Sequence, residues 1–135
     1  MGIISTDKNK ITLIYNSGIS LGKQTYSYVC TSDKDILAID TSKTNITGTQ
    51  WLEIADGLDL DISDLIQREF PNYRKLYDPK VKLKPGDWIK VIQNHPEVVW
   101  FPILIMGNNF YLIKTPSDFI NLTDADSADI SRNLS

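Results

Sequence analysis

The feature that most constrains the fold is a short apolar strand that leads directly into a turn and a helix. Residues 10–15 (KITLIY) are rich in β-branched and aromatic side chains, and the next three residues (NSG) form a turn cluster. Apolar residues then recur every three to four positions, which predicts a helix from about Ser20 to Cys30 with Ser20 as its N-cap. A second short strand is predicted at 36–39, so the chain opens with a βαβ unit.

The middle of the chain is helical in its patterning. Thr47 and Gln50 have the spacing at which each side chain can bond to the backbone N–H of the other, so a helix is predicted to begin there. A shorter helix is predicted over 61–66. A further helix begins at Pro85 and ends before Pro96, because the residue before a proline disfavours helical backbone.

The last part of the chain predicts a hairpin and a helix. Strands at 101–105 and 110–113 are joined by a turn in which Gly107 and Asn108 supply two positive φ angles. Thr115 then caps a final helix, with a proline at the first helical position.

This order of elements predicts an α/β fold of the thioredoxin-like type. A βαβ start and a ββα end form one four-stranded mixed sheet, with a helical insertion at about 47–95 between the two halves. The chain has 135 residues, which fits a single domain. We expect that domain to span 1–122. Residues 123–135 are polar, and we expect a disordered tail there.

Composition excludes several classes of protein. One cysteine and one histidine argue against a disulfide framework and against a metal centre, so no metal and no cofactor are expected. The net charge is −3, which argues against direct nucleic-acid binding. No apolar run approaches the length of a membrane span, and no signal peptide is visible, so a cytoplasmic protein without a membrane contact is expected.

Four stretches together resemble the glutaredoxin-coupled arsenate reductase family, which includes the Spx-type regulators that bind RNA polymerase. The stretches are ITLIYNSGIS, TGTQWLEIADGL with DISDLIQREFPNY, DWIKVIQNHPEVVWFPILI and IKTPSDF. The resemblance covers about Lys10–Leu122. It implies a bacterial cytoplasmic protein with a thioredoxin fold and a helical insertion.

The resemblance places the family's cysteine chemistry on residues that are not cysteines. The nucleophilic cysteine of the reductases falls on Ile19, and the second cysteine of the redox-active regulators falls on Gly22. A register shift of one places Ser20 at the nucleophile position, but a serine cannot replace a redox thiol. The resemblance therefore implies a relative without the catalytic thiols.

The family's other site residues are retained only in part. Its arsenate-binding arginines fall on Gln67, with Arg68 adjacent, on Phe101, and on Lys114. Lys114 keeps the positive charge but lacks the two-pronged geometry of a guanidinium. Pro102 aligns with the cis-proline of thioredoxin folds.

We therefore expect a non-catalytic binding or regulatory module with a protein partner. Its contact surface is either the turn after the first strand together with Pro102, or the basic stretch 68–90, which holds seven basic and three acidic residues. A solvated surface is the simpler interpretation of that charge.

Two alternatives remain open. The first is a thiol-dependent oxidoreductase that works through Cys30 or through bound glutathione. The second is a small-anion site at the turn, where Ser17, Gly18 and Ser20 precede a helix N-terminus and Lys23 or Lys114 supplies charge.

Overall fold

A four-stranded mixed sheet organises the fold. The structure is a computed structural model that describes residues 10–31, 35–78, 80, 82–119 and 121–122. The strand order is β2-β1-β3-β4, with β1 parallel to β2 and antiparallel to β3, and with β3 antiparallel to β4. The expected α/β, thioredoxin-like topology is confirmed. The strands are β1 (Lys10–Tyr15), β2 (Asp35–Asp40), β3 (Ile103–Met106) and β4 (Asn109–Leu112).

Helices connect the strands, and most of them lie between β2 and β3 in the chain. Helix α1 has the predicted bounds, and Thr47 and Gln50 form the predicted reciprocal cap of α2 at 3.2 and 3.1 Å. Short 3-10 turns occupy Ile62–Leu65 and Pro96–Val98. None of the described helices is long and apolar enough to cross a membrane. The helices are α1 (Ser20–Cys30), α2 (Gly48–Gly57), α3 (Pro71–Arg74) and α4 (Pro85–Asn94).

The sheet has a separate apolar core on each face. Side chains alternate along a strand, so Ile14 points to one face of β1 and Leu13 to the other. The larger core packs Ile14, Ile103 and Ile105 against α2, α4 and the 3-10 turns. The smaller core packs Leu13 against Val29 of α1 and against Phe119. The sheet is therefore covered on both sides, which explains why its strands consist mostly of consecutive apolar residues.

Two local predictions for the hairpin are wrong. Between the two strands of the hairpin, Gly107 has a positive φ of 62° and Asn108 does not, so one turn residue rather than two adopts this conformation. The two strands begin at 103 and 109 instead of at 101 and 110. Phe101 lies outside the strand because its ring and the ring of Trp100 pack edge-on against Phe70, at 5.8 and 5.0 Å between centroids. That aromatic contact holds the segment before β3 against the helices.

Asp118 closes the turn that leads into the last described helical residues, 118–119 and 121–122. The Asp118 carboxylate accepts the backbone N–H groups of Lys114 and Thr115, at 2.9 and 3.1 Å. Thr115 donates its hydroxyl to Asp118 at 3.0 Å, so the predicted threonine cap is wrong. The bond from Lys114 is the largest cause that lowers the pKa of Asp118. The expected tail at 123–135 lies outside the described residues.

Candidate functional site

Four chain segments meet at one edge of the sheet. The parallel strands β1 and β2 both end there, and the antiparallel pairing brings the start of β3 and the end of β4 to the same edge. The turn 16–19, the segment 40–42, Pro102 and Lys114 therefore share this edge. In open α/β sheets, the carboxyl ends of the strands are where ligands bind.

The turn after β1 bonds its own backbone donors. Asn16 is buried, and its side-chain carbonyl accepts the N–H of Gly18 at 2.8 Å. The backbone carbonyl of Asn16 accepts the N–H of Ile19 at 3.1 Å. The N–H of Ser17 donates to the carboxylate of Asp40 at 3.1 Å. The backbone N–H groups of Ser17, Gly18 and Ile19 therefore all donate to other atoms of this chain.

Asp40 links the end of β2 to this turn. One oxygen of its carboxylate accepts the N–H of Ser17, the N–H of Ser42 at 3.0 Å and the hydroxyl of Ser42 at 2.7 Å. The hydroxyls of Ser17 and Ser42 are 3.1 Å apart. Burial alone raises the pKa of Asp40, but the hydrogen bonds from Ser17 and Ser42 outweigh it and lower the pKa to about 2. Asp40 is therefore a buried carboxylate that is charged at neutral pH.

Ile19 occupies the position that the resemblance assigns to the nucleophile. Its side chain is 3% exposed and forms part of the buried set beside the sheet. The helix begins at Ser20, as predicted, but Ile19 rather than Ser20 is its N-cap, and Ile19 makes no side-chain bond to the helix. Ser20 is the first helical residue, and its hydroxyl accepts from Gln24 at 3.3 Å. The predicted serine cap is wrong because the Asn16 side chain organises the turn instead.

Gly22 allows α1 to pass directly over the turn. A Cβ atom at Gly22 would lie 2.5 Å from the backbone oxygen of Asn16 and 3.1 Å from its nitrogen. Any side chain there would collide with backbone atoms that cannot rotate away. The position of the regulators' second cysteine is therefore closed to a cysteine in this arrangement.

The anion-binding candidates on α1 reach solvent. Ser20 and Lys23 are exposed, and the backbone N–H of Lys23 donates to Ile19 within the helix. Lys114 is exposed beyond β4, and β3 separates β4 from β1. At about 4.8 Å between neighbouring strands, Lys114 lies roughly 10 Å across the sheet from the turn.

Arg68 and Pro102 have structural contacts. The guanidinium of Arg68 lies over the Trp88 ring, 5.4 Å from its centroid, and so belongs to the helices that cover the larger core. Pro102 is buried at the sheet edge, and its carbonyl accepts the N–H of Ile113 at 2.8 Å. The predicted cis peptide is wrong, since the bond before Pro102 is trans. Pro102 extends the β3–β4 pairing, which needs no cis turn.

Cys30 lies at the far end of α1 from the turn. It is the last residue of the helix and is exposed, about 15 Å along the axis from Ser20. The interaction of Tyr26 with the nearby Cys30 thiol is the largest cause that raises the pKa of Tyr26. The ring of Tyr26 stacks on Tyr15 at 4.9 Å. The thiol is thus accessible but separate from the sheet edge.

Sequence reasoning missed Asp40 and Ser42. The available signal was a polar run directly after the second parallel strand, whose end must lie beside the end of β1. Asp40 is 23 residues from Ser17 in the chain, so no short-range sequence pattern predicts the hydrogen bond between them. Within the part of the chain that the structure describes, no three histidine, cysteine or acidic residues cluster as metal ligands.

A glycine substitution tests the close approach of α1 to the turn. We expect Gly22→Ala to destabilise the protein by about 1–3 kcal/mol, because the new methyl group must displace the backbone of Asn16. Gly86→Ala is the matched control, since a Cβ at Gly86 meets nothing within 4 Å. Urea unfolding of both variants measures the difference. Equal stability of the two variants would contradict the packing.

A pH series tests the Asp40 carboxylate. The folded pKa of about 2 lies below the usual value near 3.9, so Asp40 stabilises the fold above about pH 4 and loses that effect as the pH falls toward 2. We expect Asp40→Asn to lower the free energy of unfolding at pH 6 by about 1.5–3 kcal/mol. We also expect it to flatten the loss of stability between pH 4 and pH 2.

The control for this series is Asp56→Asn, because the Asp56 carboxylate is exposed and accepts no hydrogen bond from the described residues. Chemical unfolding is followed at each pH for the three proteins. Parallel curves for the wild type and Asp40→Asn would show that the carboxylate is not the acid-sensitive group.

Comparison with solved structures identifies the fold. The chain superposes on an arsenate reductase from Vibrio cholerae with a TM-score of 0.69 and 13% identity, over 83% of this chain and 96% of that one. Proteins of Yersinia pestis and Streptococcus mutans, provisionally described as arsenate reductases, give TM-scores of 0.70 and 0.61 at 15% and 14% identity. They cover 82% of this chain each, and 98% and 97% of their own chains.

These matches confirm the expected resemblance at the level of the fold. No family model matches the sequence, and no curated protein matches it at a significant level. The chain thus has the thioredoxin-like architecture of arsenate reductases over most of its length.

Proposed function

We propose that this chain is a non-catalytic, arsenate-reductase-like module of the cytoplasm that binds an acidic protein partner. The observation that carries the proposal is the turn after β1. It holds no thiol, and its three N–H donors are bonded to Asn16 and Asp40. An oxyanion bound to the N–H of Ser17 would have to displace the charged Asp40 carboxylate. The Spx-type regulators of the resembled family suggest the kind of role, namely binding without turnover.

The basic segment 74–84 supplies the proposed contact surface. Arg74, Lys75, Lys80, Lys82 and Lys84 are all exposed there, against one acidic residue, Asp78. Arg74 pairs with Glu69 only at 3.8 Å, between two exposed side chains. Arg68, in contrast, is held over Trp88 and does not belong to this exposed charge.

Two apolar side chains stand among these charges. Leu76 is 39% exposed and Tyr77 is 37% exposed, although the neighbouring Tyr73 is fully buried. An aromatic ring surrounded by basic residues is typical of a protein contact, because it combines buried area with charge complementarity. The segment therefore suits an acidic surface better than a neutral one.

The exposure of Cys30 favours the alternative of a thiol-dependent oxidoreductase. In a thiol oxidoreductase, the Cys30 thiolate would attack glutathione disulfide, form a mixed disulfide and release one glutathione thiolate. The position of Cys30 disfavours this reaction, since a helix C-terminus destabilises a thiolate. The anion alternative is disfavoured at the turn itself, where the N–H groups of Ser17, Gly18 and Ile19 are engaged.

An arsenate assay tests the absence of catalysis. With glutathione and glutaredoxin, we expect no arsenite above background from the wild type or from Ile19→Cys, because position 19 is buried and the donors beside it are engaged. We also expect no rise in melting temperature with arsenate, phosphate or sulfate.

The controls of this assay separate the alternatives. A thermal melt shows that Ile19→Cys is folded. Wild-type arsenite formation that is lost in Cys30→Ser would reject the proposal in favour of the oxidoreductase. Stabilisation by phosphate that is lost in Lys23→Ala would reject it in favour of anion binding.

Charge reversal tests the basic segment. With polyglutamate as the acidic probe, we expect binding that weakens with salt and that falls about tenfold in the double variant Lys75→Glu, Lys84→Glu. The double variant Lys23→Glu, Lys43→Glu has the same change in net charge at exposed positions elsewhere. Titration calorimetry at two salt concentrations measures both. Equal loss in the two variants would show that overall charge, and not this segment, binds the probe.

A further inference from the structure

A second concave surface begins at Thr41, directly after the Asp40 carboxylate that bonds to the turn. It is a cleft of about 250 Å³ between the loop that follows β2 and the C-terminal half of α4. No residue of the turn 16–19 and no residue of the basic segment lines it. Its floor is apolar, formed by Ile46, Trp51 and Ile92, which are almost fully buried.

Two polar side-chain groups of residues that line this cleft have no hydrogen-bond partner among the described residues. Thr41 is 6% exposed, and its backbone N–H bonds to Tyr15 at 2.8 Å, but its hydroxyl bonds to none of the described residues. Trp51 is 1% exposed, and its indole N–H is likewise without an acceptor in the described part of the chain.

These two groups are open to the cleft and are not sealed in the core. Among the described residues, the one polar side-chain atom that is enclosed without a partner is the hydroxyl of Tyr73. Thr41 and Trp51 therefore keep access to the space that they line. A ligand that accepts from the indole N–H and bonds to the hydroxyl would satisfy both groups.

The chemistry of the walls selects an uncharged ligand. No acidic, basic or histidine side chain lines the cleft, so a charged group would lose hydration without gaining an ion partner. The rim instead carries the hydroxyls of Thr44 and Thr47 and the amides of Asn45 and Gln93. Hydroxyls and amides both donate and accept, which suits a neutral ligand with several polar groups.

The volume and the floor limit the size and shape of the ligand. Pockets for drug-sized ligands measure about 300–1,000 Å³, and this one is smaller. Ile46, Ile92 and Pro96 present aliphatic surface, against which the flat or apolar face of one ring can pack.

We propose that this cleft binds a small neutral ring compound that carries hydroxyl or amide groups. Nucleosides and neutral monosaccharides share this chemistry. The cleft adjoins the sheet edge at Thr41, but none of the groups on which the proposed function rests, the turn 16–19, Asp40 and the basic segment, lines it.

Nuclear magnetic resonance of the full chain tests the proposal. The Trp51 indole N–H signal, assigned with Trp51→Phe, is followed during titration with uridine, adenosine, glucose and N-acetylglucosamine. We expect a saturable shift with at least one of these probes. Binding of uridine or adenosine would identify a nucleoside site, and binding of glucose or N-acetylglucosamine would identify a sugar site. Uridine 5′-monophosphate or glucose 6-phosphate, matched to the probe that binds, should bind at least about tenfold more weakly.

Thr41→Val separates a binding role of the hydroxyl from a structural one. Valine keeps the shape, so we expect a melting temperature equal to or above that of the wild type and about 3- to 10-fold weaker binding. Thr49→Val is the matched control, because Thr49 is exposed on α2 and does not line the cleft. If Thr41→Val does not fold, Gln93→Ala carries the binding comparison.

Three results would overturn the proposal. The first is that no neutral probe gives a saturable shift of the Trp51 signal. The second is that the folded Thr41→Val variant or the Gln93→Ala variant binds the probe with unchanged affinity. The third is that Thr41→Val lowers the melting temperature more than Thr49→Val does. The last would show that the hydroxyl stabilises the fold. None of these results bears on the arsenate assay or on the polyglutamate titration.

Discussion

The burial of β1 on both faces and its pairing on both edges is the constraint on which the rest of the structure depends. Residues 11–14 are at most 2% exposed, and β1 bonds to β2 on one side and to β3 on the other. A strand in that position cannot shift its register without moving apolar side chains into the wrong core. Its end at Tyr15 is therefore fixed, and so is the place at which the chain must turn and enter α1.

That fixed turn explains how a fold shared with solved arsenate reductases is built here with no thiol in the turn. The turn needs acceptors for its N–H groups, and in this chain Asn16 and the Asp40 carboxylate are those acceptors. Gly22 then lets α1 lie against the backbone of Asn16. Each contact is local and well packed, so the edge is stable in the absence of any ligand. A site that needs a bound oxyanion would instead leave these donors free.

Much of the fold was predictable because it follows from periodicity. The bounds of α1, the cap of α2 at Thr47 and the four strands come from apolar spacing and from short-range hydrogen-bonding patterns. The errors fall where particular contacts, and not periodicity, decide the local structure. Ser20 is not a cap because Ile19 takes that position and the Asn16 side chain closes the turn. The peptide before Pro102 is trans, whereas the aligned proline of thioredoxin folds is cis.

The candidate site was less predictable because its geometry depends on individual contacts and not on periodicity. Helix α4 illustrates this, because it borders both proposed surfaces. Trp88 supports Arg68 beside the basic segment, and one turn later Ile92 forms the floor of the neutral cleft. Sequence periodicity identifies both residues as core and cannot distinguish their surroundings. Because both are buried in the same apolar cluster, α4 is held along its length. Occupancy of one surface can change affinity at the other only if it moves this helix, and any such coupling must act equally in both directions.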